Sequence, residues 1–62
     1  MKAIDDYSKA LELDPNIAEA YYNRGLARIH AGNKDEGIED LSKAGELGLY
    51  EAYGIIKRYR GK

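Results

Sequence analysis

The chain has no cysteine, a single histidine and no valine, threonine, phenylalanine or tryptophan. Without cysteine there is no disulfide framework, and one histidine leaves too little for a structural metal site. The remaining apolar set is alanine, leucine, isoleucine and tyrosine with one methionine, a vocabulary that favours helix over strand. No run of eighteen apolar residues and no charged-then-apolar leader occurs, so nothing points to a membrane span or to secretion. A cytoplasmic location is the expectation.

Also missing is length. A chain of 62 residues holds one domain at most, and at that size folding removes only roughly 60% of the surface the unfolded chain exposes. With disulfides and metals excluded, stability must come from regular helix packing or from self-association.

Acidic residues are missing from the tail. Residues 1–56 carry 6 basic and 11 acidic groups, whereas residues 57–62 carry 4 basic and none acidic. Lys57, Arg58 and Arg60 around Tyr59 are the residue types that meet phosphates and stacked bases. Being few and terminal, they read instead as cations that offset a helix dipole and keep a chain end soluble, so no nucleic acid is expected.

What is present is a repeat. At an offset of 34 residues, Ala3 to Leu13 matches Gly37 to Leu47 with seven of eleven positions identical: Ile4/Ile38, Asp6/Asp40, Ser8/Ser42, Lys9/Lys43, Ala10/Ala44, Glu12/Glu46 and Leu13/Leu47. A period of that length belongs to helix-turn-helix units that bury their apolar faces against one another.

Spacing and punctuation predict four helices. In residues 2–13, Ala3, Ile4, Tyr7, Ala10 and Leu11 recur at three and four. Asp14-Pro15-Asn16 ends that helix, and Asn16 with Glu19 reads as a reciprocal cap for a second helix over about 17–31. Gly32 is a stop signal, and Asn33 with Glu36 repeats the cap for a third helix over about 34–47, on which Ile38, Leu41, Ala44 and Leu47 form the inner stripe. After Gly48, a fourth helix over about 50–59 carries Ala52, Tyr53, Ile56 and Tyr59 at helical spacing. Turns this short force antiparallel neighbours. The expected fold is therefore all-α.

Residues Ala18 to Leu47, AEAYYNRGLARIHAGNKDEGIEDLSKAGEL, resemble a tetratricopeptide repeat through Tyr21, Gly25, Ala27, Gly32, Ile38 and Ala44, and Ala3 to Asn16 resembles the second helix of a preceding repeat. The resemblance covers about three quarters of the chain and implies an α-solenoid fragment. Family small residues sit where two helices cross closely; Gly25 and Ala44 match them, and Gly37 replaces the usual alanine. So read, residues 1–62 are one domain: 1–14 a half repeat, 17–47 a full repeat and 50–60 a capping helix.

The family pattern also fails in places. The first helix lacks its partner, so the face carrying Ile4, Tyr7 and Leu11 is expected to be open and to promote self-association, as a dimer, a domain-swapped pair or part of a longer array. Arg28 stands where the family has a large aromatic or aliphatic residue, one turn beyond Arg24. Pairing of Arg24 and Arg28 with Asp6 and Asp40 on the flanking helices is the structural reading; a small cationic site for an acidic peptide is the functional one.

By resemblance, the first helix of each repeat lines a concave binding surface. That assigns Glu19, Tyr22, Asn23, Leu26, Ile29 and His30 to partner contact, with Tyr22, Leu26 and Ile29 as an apolar strip and Asn23 as an amide able to bond a peptide backbone. The same strip could pack against the fourth helix or another copy. Chaperone-tail binding in the family uses lysines, arginines and asparagines from three successive first helices, of which only Asn23 has a match here.

Catalysis fails on inventory: Ser8 and Ser42 recur at the repeat offset on outward positions, and His30 lies near a helix end. Asp35, Glu36, Glu39 and Asp40 form an acidic cluster without histidine or cysteine, which reads as a solvated face and not as a metal site. The expected function is a protein-interaction or scaffold module with no cofactor; the alternative is a self-assembling structural repeat.

Overall fold

The computed structural model describes residues 2–60; Met1, and Gly61 and Lys62 of the basic tail, lie outside the described residues. Four helices follow in order: α1 (Lys2–Leu13), α2 (Ala18–His30), α3 (Lys34–Glu46) and α4 (Glu51–Arg60). Each packs on its neighbours in sequence, as antiparallel helix-turn-helix units do. The Cα atoms span 35 × 25 × 12 Å, a slab thin enough that every helix keeps a solvent-facing side.

The two glycine stops act alike. Gly32 has φ +95° and Gly48 φ +110°, the left-handed region that an L side chain avoids. After α2, the Gly32 N–H donates to the Ile29 carbonyl at 3.1 Å and the Asn33 N–H to the Arg28 carbonyl at 2.8 Å. After α3, the Gly48 N–H donates to the Gly45 carbonyl and the Leu49 N–H to the Ala44 carbonyl, both at 3.0 Å. Both pairs are Schellman motifs, which satisfy the last carbonyls of each helix.

The helix starts differ from the sequence expectation. Neither Asn16 nor Asn33 makes a side-chain capping bond. At the first turn the Asp14 carboxylate accepts the Asn16 N–H at 3.0 Å, and Ile17 is the N-cap of α2. Its carbonyl accepts the Ala20 and Tyr21 amides. Asn33 is the N-cap of α3, but its ψ of 66° lies outside the extended geometry that lets a cap side chain turn back onto the helix.

The core is centred on α3. Ile38, Leu41 and Ala44 meet Ala52 and Ile56 of α4, and Tyr21, Tyr22, Leu26, Ile29, Leu49, Ile55 and Tyr59 pack around them. Helix α3 is covered on both sides, and α1 on one. Leu11 is the buried residue of α1, which corrects its assignment to an open face. Its repeat counterpart is Gly45, and a Cβ there would lie 2.5 Å from the Tyr53 ring of α4.

Candidate partner-binding surface

The rotation of α2 about its own axis decides which side chains reach solvent, and a glycine crossing sets it. A Cβ on Gly25 would fall 2.7 Å from the Gly37 carbonyl oxygen, and one on Gly37 would fall 2.5 Å from the Gly25 carbonyl oxygen. Backbone therefore meets backbone, and neither helix can turn another residue into that position without moving apart.

Beside the crossing, Arg24 and Arg28 converge on Asp40. Arg24 donates from Nε to Oδ2 and from Nη2 to Oδ1, both at 2.8 Å, and Arg28 donates from Nη1 to Oδ2 at 3.0 Å. The Asp40 side chain is 7% exposed and those of Arg24 and Arg28 are 16% and 23%. The hydrogen bonds to Asp40 raise the Arg24 guanidinium above the ordinary arginine range against the opposing effect of burial. The Tyr21 ring lies 5.7 Å from its carbon.

The carboxylate expected on the other flank is replaced. Arg24 Nη1 donates to Ser8 Oγ of α1 at 3.0 Å, while Asp6 is exposed and makes no ion pair among the described residues. Ser8 is half-buried, which corrects its placement on an outward position. One arginine thus ties α1, α2 and α3 together. With its forked donors largely committed to the carboxylate and the hydroxyl, Arg24 is part of the scaffold of the surface and leaves little donor capacity for a ligand.

What α2 then turns outward is a strip bordered by polar groups. Glu19, Asn23 and His30 are exposed, while Tyr22, Leu26 and Ile29 are half-buried and lean on the α3–α4 core. One side of each apolar group therefore packs inward and the other stays open. The surface is shallow, and no enclosed cavity occurs among the described residues.

Elsewhere, Leu13, Tyr50 and Tyr53 are 86%, 73% and 45% exposed, and sequence reasoning did not single out the first two. Asp40 turns inward out of the acidic cluster, leaving Asp35, Glu36 and Glu39 exposed. Among the described residues no three acidic or histidine side chains converge to hold a metal ion, and no helix is long and apolar enough to cross a membrane.

Comparison with known proteins finds two family models, one described as TPR repeat over residues 2–32 and one as Tetratricopeptide repeat over residues 18–47. Similar proteins include the Hsp70-Hsp90 organizing protein of Triticum aestivum, 48% identical over 46 residues, covering 74% of this chain and 8% of that protein. The photosystem I assembly protein Ycf3 of Acaryochloris marina is 40% identical over 43 residues, covering 69% and 26%. The mitochondrial import receptor subunit TOM70 of Homo sapiens is 35% identical over 66 residues, covering 97% and 11%. The chain thus spans about a quarter or less of these relatives. No solved structure gives a significant match.

Proposed function

Because the chain belongs to the tetratricopeptide repeat family, we propose that it is a protein-interaction module that buries a partner peptide or helix along the outer strip of α2. In this reading residues 1–14 and 17–47 form the repeat scaffold and residues 50–60 cap it. The relatives are an assembly protein, an organizing protein and an import receptor subunit by name, which supports a module that handles other proteins.

The observation that carries the proposal is the composition of the strip: three half-buried apolar side chains, Tyr22, Leu26 and Ile29, bordered by the exposed Glu19, Asn23 and His30. A partner segment with apolar groups one helical turn apart would complete their burial, gaining about 25 cal/mol for each Å² removed from water. Asn23 supplies both a donor and an acceptor for a peptide group. The module contributes no bond-making chemistry of its own and needs no cofactor.

Selection of a displayed peptide library on the chain, followed by titration of the enriched peptides, tests this. Asn23→Ala and His30→Ala should weaken capture about tenfold while leaving the melting temperature unchanged, since both residues are exposed. Enriched peptides indifferent to both changes would reject the site.

A second reading, self-assembly, is favoured by one observation: Ile4 and Tyr7 of α1 are half-buried where their repeat counterparts Ile38 and Leu41 are buried. Light scattering over a wide concentration range tests it, because association raises the apparent mass. A constant monomer mass excludes it.

A further inference from the structure

Six glycines lie among the described residues, and the fold accounts for five of them. Gly25, Gly37 and Gly45 each face an atom that a Cβ would approach to 2.7 Å or less, and Gly32 and Gly48 hold a positive φ. Gly54 has neither reason. It lies inside α4, is exposed, and a Cβ there would meet nothing within 4 Å. Glycine is the poorest helix former after proline, so α4 loses stability at this position with no packing in return.

The register of α4 against α2 shows what the gap replaces. Glu19-Ala20-Tyr21 and Glu51-Ala52-Tyr53 are identical at an offset of 32 residues, because the turn from Leu47 to Leu49 is two residues shorter than that from Leu13 to Ile17. The first helical turns agree: the Ala20 N–H donates to the Ile17 carbonyl, the Ala52 N–H donates to the Leu49 carbonyl, and both alanines are buried. In that register Gly54 stands at the step of Tyr22 and Arg58 at the step of Leu26. Two apolar residues of the α2 strip thus give way on α4 to a notch and a cation. Helical side chains lean toward the N-terminus, so the stems of Lys57 and Arg58 slope back over the bare backbone at Gly54. Both are exposed and make no ion pair among the described residues.

We propose that Gly54, Lys57 and Arg58 form a second subsite of the partner surface, one that takes an aromatic side chain with a carboxylate beside it, offered by a segment of another protein. The proposal rests on the reading of α2 as a partner-binding strip and names what the same partner carries one helix further on. A ring suits the notch because it is flat enough to lie on backbone without a side chain, and its face attracts the cations that lean over it. An aliphatic group offers them no such face. The carboxylate follows from charge: Lys57, Arg58 and Arg60 are three exposed cations at one end of α4, and the single acidic residue of the helix, Glu51, lies on the other side of Gly54. A second copy is a poor occupant. Its Asp6-Tyr7 pair has the tyrosine half-buried, and its Tyr50-Glu51 pair adjoins the same cationic helix, so two copies meeting there would bring like charges together.

A displayed random-peptide library selected on the whole chain is the probe, and the enriched peptides are then titrated by fluorescence anisotropy. They are expected to carry tryptophan, tyrosine or phenylalanine next to aspartate or glutamate, and to bind about tenfold more weakly once that ring is replaced by leucine. Gly54→Leu, which fills the notch, and Arg58→Glu should weaken them about equally. Gly54→Leu should not lower the melting temperature, since the position has room and leucine is the better helix former, so lost capture with a retained melt reports the notch and not folding. Peptides that respond to Asn23→Ala but ignore Gly54→Leu overturn the subsite and keep the α2 strip, whereas the reverse pattern keeps the subsite and overturns the strip. Enrichment of acidic peptides without a ring overturns the proposal, and so does the absence of any enriched peptide. An apparent mass that rises with concentration and returns to the monomer in Gly54→Leu would make a second copy the occupant and also overturn it.

Discussion

Gly25 and Gly37 lie so close that each occupies the space where the other's Cβ would be, at 2.7 and 2.5 Å from the facing carbonyl oxygens. The obstacle is backbone on both sides, so a larger residue can be accommodated only by separating α2 from α3. Gly25→Ala gains about 1 kcal/mol in helix propensity but forces an overpacking cost of about 1–3 kcal/mol. The α2–α3 contact also orients the Arg24 fork, which a shift would weaken. The melting temperature should fall by about 5 °C or more, and a rise on thermal denaturation would contradict the crossing.

Gly54 offers the opposite case. It lies inside α4, is exposed, and a Cβ there would meet nothing within 4 Å. Gly54→Ala should stabilise the chain by about 1 kcal/mol, raising the melting temperature by about 4–8 °C. Gly48 has equal room but φ +110°, so Gly48→Ala should cost about 1–2 kcal/mol. Circular dichroism melts of the two variants should move in opposite directions.

Asp6 and Asp40 are the same residue at the same repeat step and should respond very differently to truncation. Asp40→Ala strands two largely buried guanidinium groups and should cost about 3 kcal/mol, enough to unfold much of a domain this small. Asp6→Ala should stay within about 0.5 kcal/mol. The Arg24 shift is upward, so its contribution is present below the ordinary arginine range and lost only as pH rises through the raised value. The difference between the two variants should therefore be the same at neutral and mildly alkaline pH, as urea titrations can check.

Leu26 and Asn23 should separate folding from binding on the α2 surface. Leu26 packs against the core, so Leu26→Ala should cost about 2 kcal/mol and lower peptide capture with it. Asn23 is exposed, and Asn23→Ala should reduce capture at unchanged stability.

The features legible in the sequence were those set by local rules or by the repeat. Helix positions followed from apolar spacing, the stops at Gly32 and Gly48 from the need for a left-handed residue, and the pairing of Arg24 and Arg28 with Asp40 from two arginines one turn apart facing a carboxylate. What the repeat hides is neighbourhood. Asp6 and Asp40 look alike along the chain, and only the position of α2 between α1 and α3 puts a hydroxyl, not a carboxylate, opposite Arg24 on the α1 side. Asn16 had the spacing of a capping residue, but an aspartate two residues earlier took its amide. Leu11 lay on the apolar stripe of α1 with nothing in that stripe to say which part α2 would cover.

The turn between α2 and α3 leaves little slack. The Asn33 N–H closes the end of one helix through the Arg28 carbonyl, and the Asn33 carbonyl receives the Gly37 amide as the next begins. The peptide unit before Asn33 is thus bonded to one rod and the unit after it to the next, which leaves the φ and ψ of that one residue for them to swing about. A visitor pressing on α2 must carry α3 along or break that joint, so the two should exchange their amide protons for deuterium in unison while the strand of chain around Pro15 opens first.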